Sequence, residues 1–195
     1  MSSLAESWEQ TKAHLARAAE LVGDSDLETF YEYVEHNELQ LAADVLVEIG
    51  DEREDLPRPF WESLKWAYEN MRLQSDAQAC GLRMYEAEHG YVEARLTLLS
   101  TDDGGRHGPI FNNYRPSWNI GNRTPDGAVE FNDAPVTLED CRSLLPGQVG
   151  VVRLHPMSPQ GWRHVREGDQ IDMQEGSRVT GKAVVLRVCL REITQ

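Results

Sequence analysis

The sequence predicts an α+β protein in two parts, an acidic helical domain over residues 1–90 followed by an all-β barrel over residues 91–195. Three observations predict it. Apolar residues in the first part recur at three- and four-residue steps, the period of one helix face. From Tyr91 onward the pattern changes to β-branched runs, with turn residues every ten or so positions. The net charge of −14 also sits almost wholly in the first part, which holds 20 acidic and 7 basic residues against 13 and 12 in the second. At 195 residues and 40% hydrophobic content, the chain can bury two small cores.

Taken in order, Leu4, Ala5, Trp8, Leu15, Ala18, Ala19 and Val22 line one face of a first helix, ended by Gly23. Asp24, Ser25 and Asp26 supply capping side chains for the next. Phe30, Tyr31 and Val34, then Leu39, Leu41, Ala42, Val45, Leu46 and Ile49, continue the helical period on either side of His36-Asn37. Two short helices with a break at Asn37 fit that pattern, with Gly50 closing the pair. Pro57 and Pro59 stand where a further helix begins, and Phe60, Leu64, Ala67 and Tyr68 form its apolar stripe. Trp61 and Trp66 are assigned to core packing, with an interface role as the alternative. A last helix spans about Asp76 to Glu88 and hands over at Gly90.

In the second part, turns fall at Asp102–Gly105, Asn112-Asn113, Pro125–Gly127, Pro146-Gly147, Pro159–Gly161 and Glu175-Gly176. The runs Val149–Leu154 and Ala183–Val188 read as strands, and such spacing favours a closed barrel or sandwich.

Several function classes fall away. No apolar run approaches the roughly 18 residues of a membrane span, and Met1–Gln10 is polar and acidic where a signal peptide is basic and then apolar, so a cytoplasmic, membrane-free protein is expected. Cys80, Cys141 and Cys189 are odd in number and outside any zinc or CxxC spacing, and are read as reduced, mostly buried small residues. GxxxxGK[ST], GxSxG, HExxH and Asp-rich calcium loops are all missing, so no nucleotide, metal or other cofactor is expected and binding without catalysis is the reading. His107 is the histidine that merits inspection for chemistry.

Two resemblances add expectations. Leu98-Leu99-Ser100-Thr101-Asp102-Asp103-Gly104-Gly105-Arg106-His107-Gly108-Pro109-Ile110, followed by Asn113-Tyr114-Arg115-Pro116, resembles the start of the third domain of elongation factor Tu. The resemblance continues through Pro146-Gly147, Pro156, Glu175–Arg178 and Gly181, in the family's order. It implies a β-barrel of that type, which in the family touches tRNA and partner proteins, and it marks Arg106, His107 and Arg115 as the contacts. The plainer alternative is that the arginines pair with Asp102 or Asp103. Tyr31 to Leu46 together with Phe60 to Ala67 is similar to the small helical Maf-type immunity proteins, which bind and block a toxin.

An acidic face suits a basic protein partner, such as a toxin domain, because opposite charge steers association. Its candidate residues are Glu28, Glu32, Glu35, Glu38, Asp51, Glu52, Glu54 and Asp55, of which the first three lie on one helical face. The leading expectation is a toxin-neutralising inhibitor that uses this face. The alternative is a translation-linked accessory protein whose barrel binds tRNA or a translation factor.

Overall fold

The computed structural model describes residues 4–23, 26–53 and 55–191. The chain divides into two compact units, Met1–Glu88 and His89–Gln195.

Five helices come first: α1 (Leu4–Leu21), α2 (Glu28–Glu35), α3 (Leu39–Asp51), α4 (Arg58–Asn70) and α5 (Gln74–His89). The predicted stripes form the core, for Leu15, Ala18, Leu46, Phe60, Leu64 and Ala67 are fully buried. Each buried leucine contributes about 2 kcal/mol through its removal from water. Of the proposed caps, Asp24 and Ser25 lie outside the described residues, while the Asp26 carboxylate accepts the Glu28 N–H at 3.0 Å. Asn37 adopts a left-handed φ of 60°, which breaks the chain between α2 and α3 where the sequence placed the break.

Gly50 differs from expectation. It lies within α3 and is buried, and an added Cβ would stand 2.5 Å from the Trp61 ring. Its smallness lets α4 pack closely; it does not stop the helix. Pro57 is the N-cap of α4 and Pro59 lies in its first turn, where a missing N–H costs nothing.

The second unit is a curled antiparallel sheet of seven strands: β1 (Val92–Leu98), β2 (Ser117–Asn119), β3 (Asn132–Asp133), β4 (Val136–Leu138), β5 (Val149–Leu154), β6 (Gln170–Glu175) and β7 (Arg178–Val188). Its order is β3-β2-β6-β7-β1-β5-β4. The two outermost strands, β3 and β4, are consecutive pieces of the stretch 132–138. Pairing along that stretch is continuous with the chain around β2, since Trp118 faces Asn132, Ser117 faces Asp133 and Tyr114 faces Val136. The other side of the stretch pairs with β5, Val136 opposite Leu154. The sheet's two ends therefore meet in one segment, and the strands curl into a barrel-like wall that shields its edges.

Alternation fills the interior. Val92, Ala94, Leu96 and Leu98 of β1 point inward, whereas Arg95 and Thr97 are exposed. Trp118 and Trp162 are fully buried among them, and the Trp118 indole donates to the Ala134 carbonyl at 3.0 Å. In the loop after β1, Gly104 takes a positive φ of 81°. Gly105 does not, but a Cβ there would lie 2.1 Å from the Leu99 carbonyl oxygen, so it is required by close backbone approach.

Candidate functional site

The acidic residues separate into two groups. On α2, Glu28, Glu32 and Glu35 are all exposed at i, i+4 and i+7 spacing, and Tyr31 stands among them with 58% of its surface exposed. The sequence period assigned Tyr31 to the buried face. Phe30, expected on that face too, is inside at 2% exposure, and the two rings meet edge-on at 5.0 Å.

Beyond the Asn37 break, Glu38 is the exposed N-cap of α3. Its N–H donates to the Tyr33 carbonyl at 2.8 Å, which ties the turn back onto α2. His36 reports the local field. Its Nδ1 donates to the Glu32 carbonyl at 2.9 Å, and its pKa is raised by that bond and then by the charges of Glu32, Glu38 and Glu35. The charges of three candidate carboxylates thus reach one imidazole, and the three share a single negative patch.

The second group lies at the far end of α3, roughly 20 Å away at 1.5 Å per residue. There Asp51 is paired with Arg83 at 2.7 Å, and Asp55 is held by two bonds from Arg53, at 3.0 and 2.7 Å. The hydrogen bond from Arg53 lowers the Asp55 pKa, and Arg53 also donates to the Val22 carbonyl at 2.6 Å. Asp51 thus ties the end of α3 to α5, and Asp55 braces Arg53 within the α3–α4 connection. Glu52 is exposed, and Glu54 lies outside the described residues.

In the β unit the expected contacts differ in accessibility. Arg106 is folded inward, with 18% of its side chain exposed. Its guanidinium donates to Glu175 at 2.9 Å and to the Gly108 carbonyl at 2.6 Å, and it lies 4.5 Å over the Tyr114 ring. The Tyr114 hydroxyl completes the cluster by donating to Glu175 at 2.5 Å. Burial and that bond push the Tyr114 hydroxyl up to about 12. The pairing of Arg106 with Asp102 or Asp103 does not occur, because Asp103 accepts from Ser100 at 2.6 Å while Arg106 turns toward the β6–β7 end. Arg115 and His107 are exposed.

Sequence reasoning also misplaced two aromatic residues. Trp66 is 46% exposed with the Lys65 ammonium 4.5 Å above its ring, whereas Trp61 is buried as expected. Trp8, counted within the first helix's apolar face, is 44% exposed. A finer count of helix phase would have found Tyr31, which shares its face with Glu28 and Glu35 at i−3 and i+4.

Among the described residues no group of three metal-ligating side chains converges, and no helix is long and apolar enough to cross a membrane. Cys80 is buried, and burial followed by the nearby Asp76 pushes its thiol up to about 12. No protein-family model matches the chain.

Proposed function

We propose that the chain is a non-catalytic inhibitor of the immunity-protein kind, engaging a basic protein partner through Glu28, Glu32, Glu35 and Glu38. The observation that carries this reading is the patch itself: four exposed carboxylates on α2 and at the start of α3, with Tyr31 exposed among them. A rigid aromatic ring ringed by charge is the composition of a binding hot spot, because the ring supplies buried area and the charges supply steering. The similarity of Tyr31–Leu46 and Phe60–Ala67 to Maf-type immunity proteins supports the same class. Asp51 and Asp55 are left out of the contact, since their charge is already matched by arginines.

Reversing Glu32 and Glu35 to lysine tests the reading. Partner binding should fall while thermal stability stays near that of the parent, because both side chains are exposed. Undiminished binding by that variant refutes the acidic-face contact.

A second reading rests on the β unit, whose sheet is barrel-like and whose loop sequence resembles that of the elongation factor Tu third domain. In it, Arg115 and His107 contact the tRNA backbone or a translation factor, and Arg106 shapes the loop that presents them. It predicts salt-sensitive retention of tRNA that Arg115→Ala weakens. Absence of retention at low salt removes it.

A further inference from the structure

Two of the apolar residues expected in the core and found exposed lie together. Trp8 on α1 and Leu41 on α3, 44% and 45% exposed, line one open depression of about 380 Å³, floored by Leu39 and Met71 and bordered by Glu38. Glu38 belongs at once to this groove and to the carboxylates whose charge reaches His36. An apolar seat and a negative patch therefore share a border on the helical unit.

We propose that this groove seats one large apolar side chain of a lysine- or arginine-rich segment of the partner, with the flanking cations lying over Glu38, Glu35 and Glu32. The assignment rests on the acidic-face reading above and names the chemistry of the occupant. Charge chooses it: a neutral or acidic segment seated in the groove would leave the neighbouring carboxylates uncompensated, whereas a basic one neutralises them. The anchor gives affinity through desolvation of Trp8 and Leu41, and the cations give rate and salt dependence.

The test uses the full chain and two fluorescently labelled eight-residue lysine-rich peptides, one with a single central phenylalanine and its twin with alanine there. Anisotropy titrations at low and moderate salt should show the phenylalanine peptide binding about tenfold more tightly, the size expected for burying part of an aromatic ring. Trp8→Ala and Leu41→Ser should each remove that preference while leaving the weaker, salt-sensitive binding of both peptides. Glu32→Lys with Glu35→Lys should weaken both peptides alike. Equal, salt-sensitive binding of the two peptides overturns the groove and leaves the acidic face standing. Affinity for the phenylalanine peptide that is undiminished by the charge reversal and by moderate salt retains the groove and refutes the acidic-face reading, and binding of neither peptide at low salt refutes both. Self-association of the chain that is lost on Leu41→Ser would assign the groove to a second copy and overturn the basic occupant.

Discussion

Replacing Gly50 by alanine opposes two forces that the structure lets us weigh. Gly50 lies in α3, where alanine is intrinsically preferred by about 1 kcal/mol. Its added Cβ would stand 2.5 Å from Cη2 of Trp61 and 2.8 Å from Cζ2 of Trp61 and Cε1 of Phe60. Ordinary carbon contacts are about 3.5–4.0 Å, so the rings must retreat by about 1 Å. They have little room, being 0% and 4% exposed and packed edge-to-face at 4.9 Å. Overpacking of a tight core costs about 1–3 kcal/mol, and a 1 Å retreat of two rings falls in the upper part of that range. The net expectation is a loss of about 1–2 kcal/mol. Gly81 is the control: it is helical in α5 with nothing within 4 Å of its added Cβ, so Gly81→Ala should gain about 0.5–1 kcal/mol. Urea unfolding followed by the far-ultraviolet helical signal measures both as midpoint shifts at constant slope. If Gly50→Ala stabilises the protein as Gly81→Ala does, the packing argument for α3 against α4 is wrong.

Arg106→Ala should destabilise the β unit by about 1–2 kcal/mol, because it removes the hydrogen-bonded cation from Glu175, to which Arg178 comes no nearer than 3.9 Å, and the cation from the Tyr114 ring, and denaturant unfolding followed by a β-sheet signal checks it. The same Tyr114 hydroxyl makes the β unit weaken at high pH. Its folded pKa lies above the unfolded value near 10, so its contribution is complete below pH 10 and is lost as pH rises through about 12; Tyr114→Phe should flatten that limb of the alkaline unfolding curve. Cys80 should resist a thiol reagent at pH 8 in the folded protein, being buried with its thiol pushed up to about 12, so that no more than two of the three cysteines react before unfolding. His36 should titrate above 6.5 by nuclear magnetic resonance, and neutralising its neighbours with Glu32→Gln and Glu35→Gln should lower that value; the stability it contributes is present below pH 6.5 and is lost as pH rises through the folded pKa.

The elements were legible where local chemistry and burial agree. Pro57 and Pro59 announced α4, Asn37 the α2–α3 break, and the turn residues after Tyr91 the strand ends, because each acts through its own backbone. What the sequence hid depends on neighbours distant in the chain. Gly50 reads as a helix stop until Trp61 is seen against it. Arg106 reads as a free surface cation until Glu175, 69 positions away, is found beside it. The meeting of β3 and β4 in one segment is invisible locally, since two- and three-residue strands carry almost no alternation. The candidate site was half legible. Glu28, Glu32 and Glu35 share a face by spacing alone, and a finer count of phase adds Tyr31 to it, but Trp8 and Leu41 were counted in the apolar period and yet emerge at the surface. Periodicity says that a residue is apolar and in phase, not that another helix arrives to cover it.

The acidic-face contact is tested most directly by affinity capture from cell extract with the tagged chain and its Glu32→Lys, Glu35→Lys variant side by side. Bound protein and RNA are both identified, at low and moderate salt. The account predicts a basic protein retained by the parent at low salt, reduced at moderate salt, lost from the variant and free of RNA. The same protein captured equally by parent and variant, or tRNA captured in its place through Arg115, would contradict it.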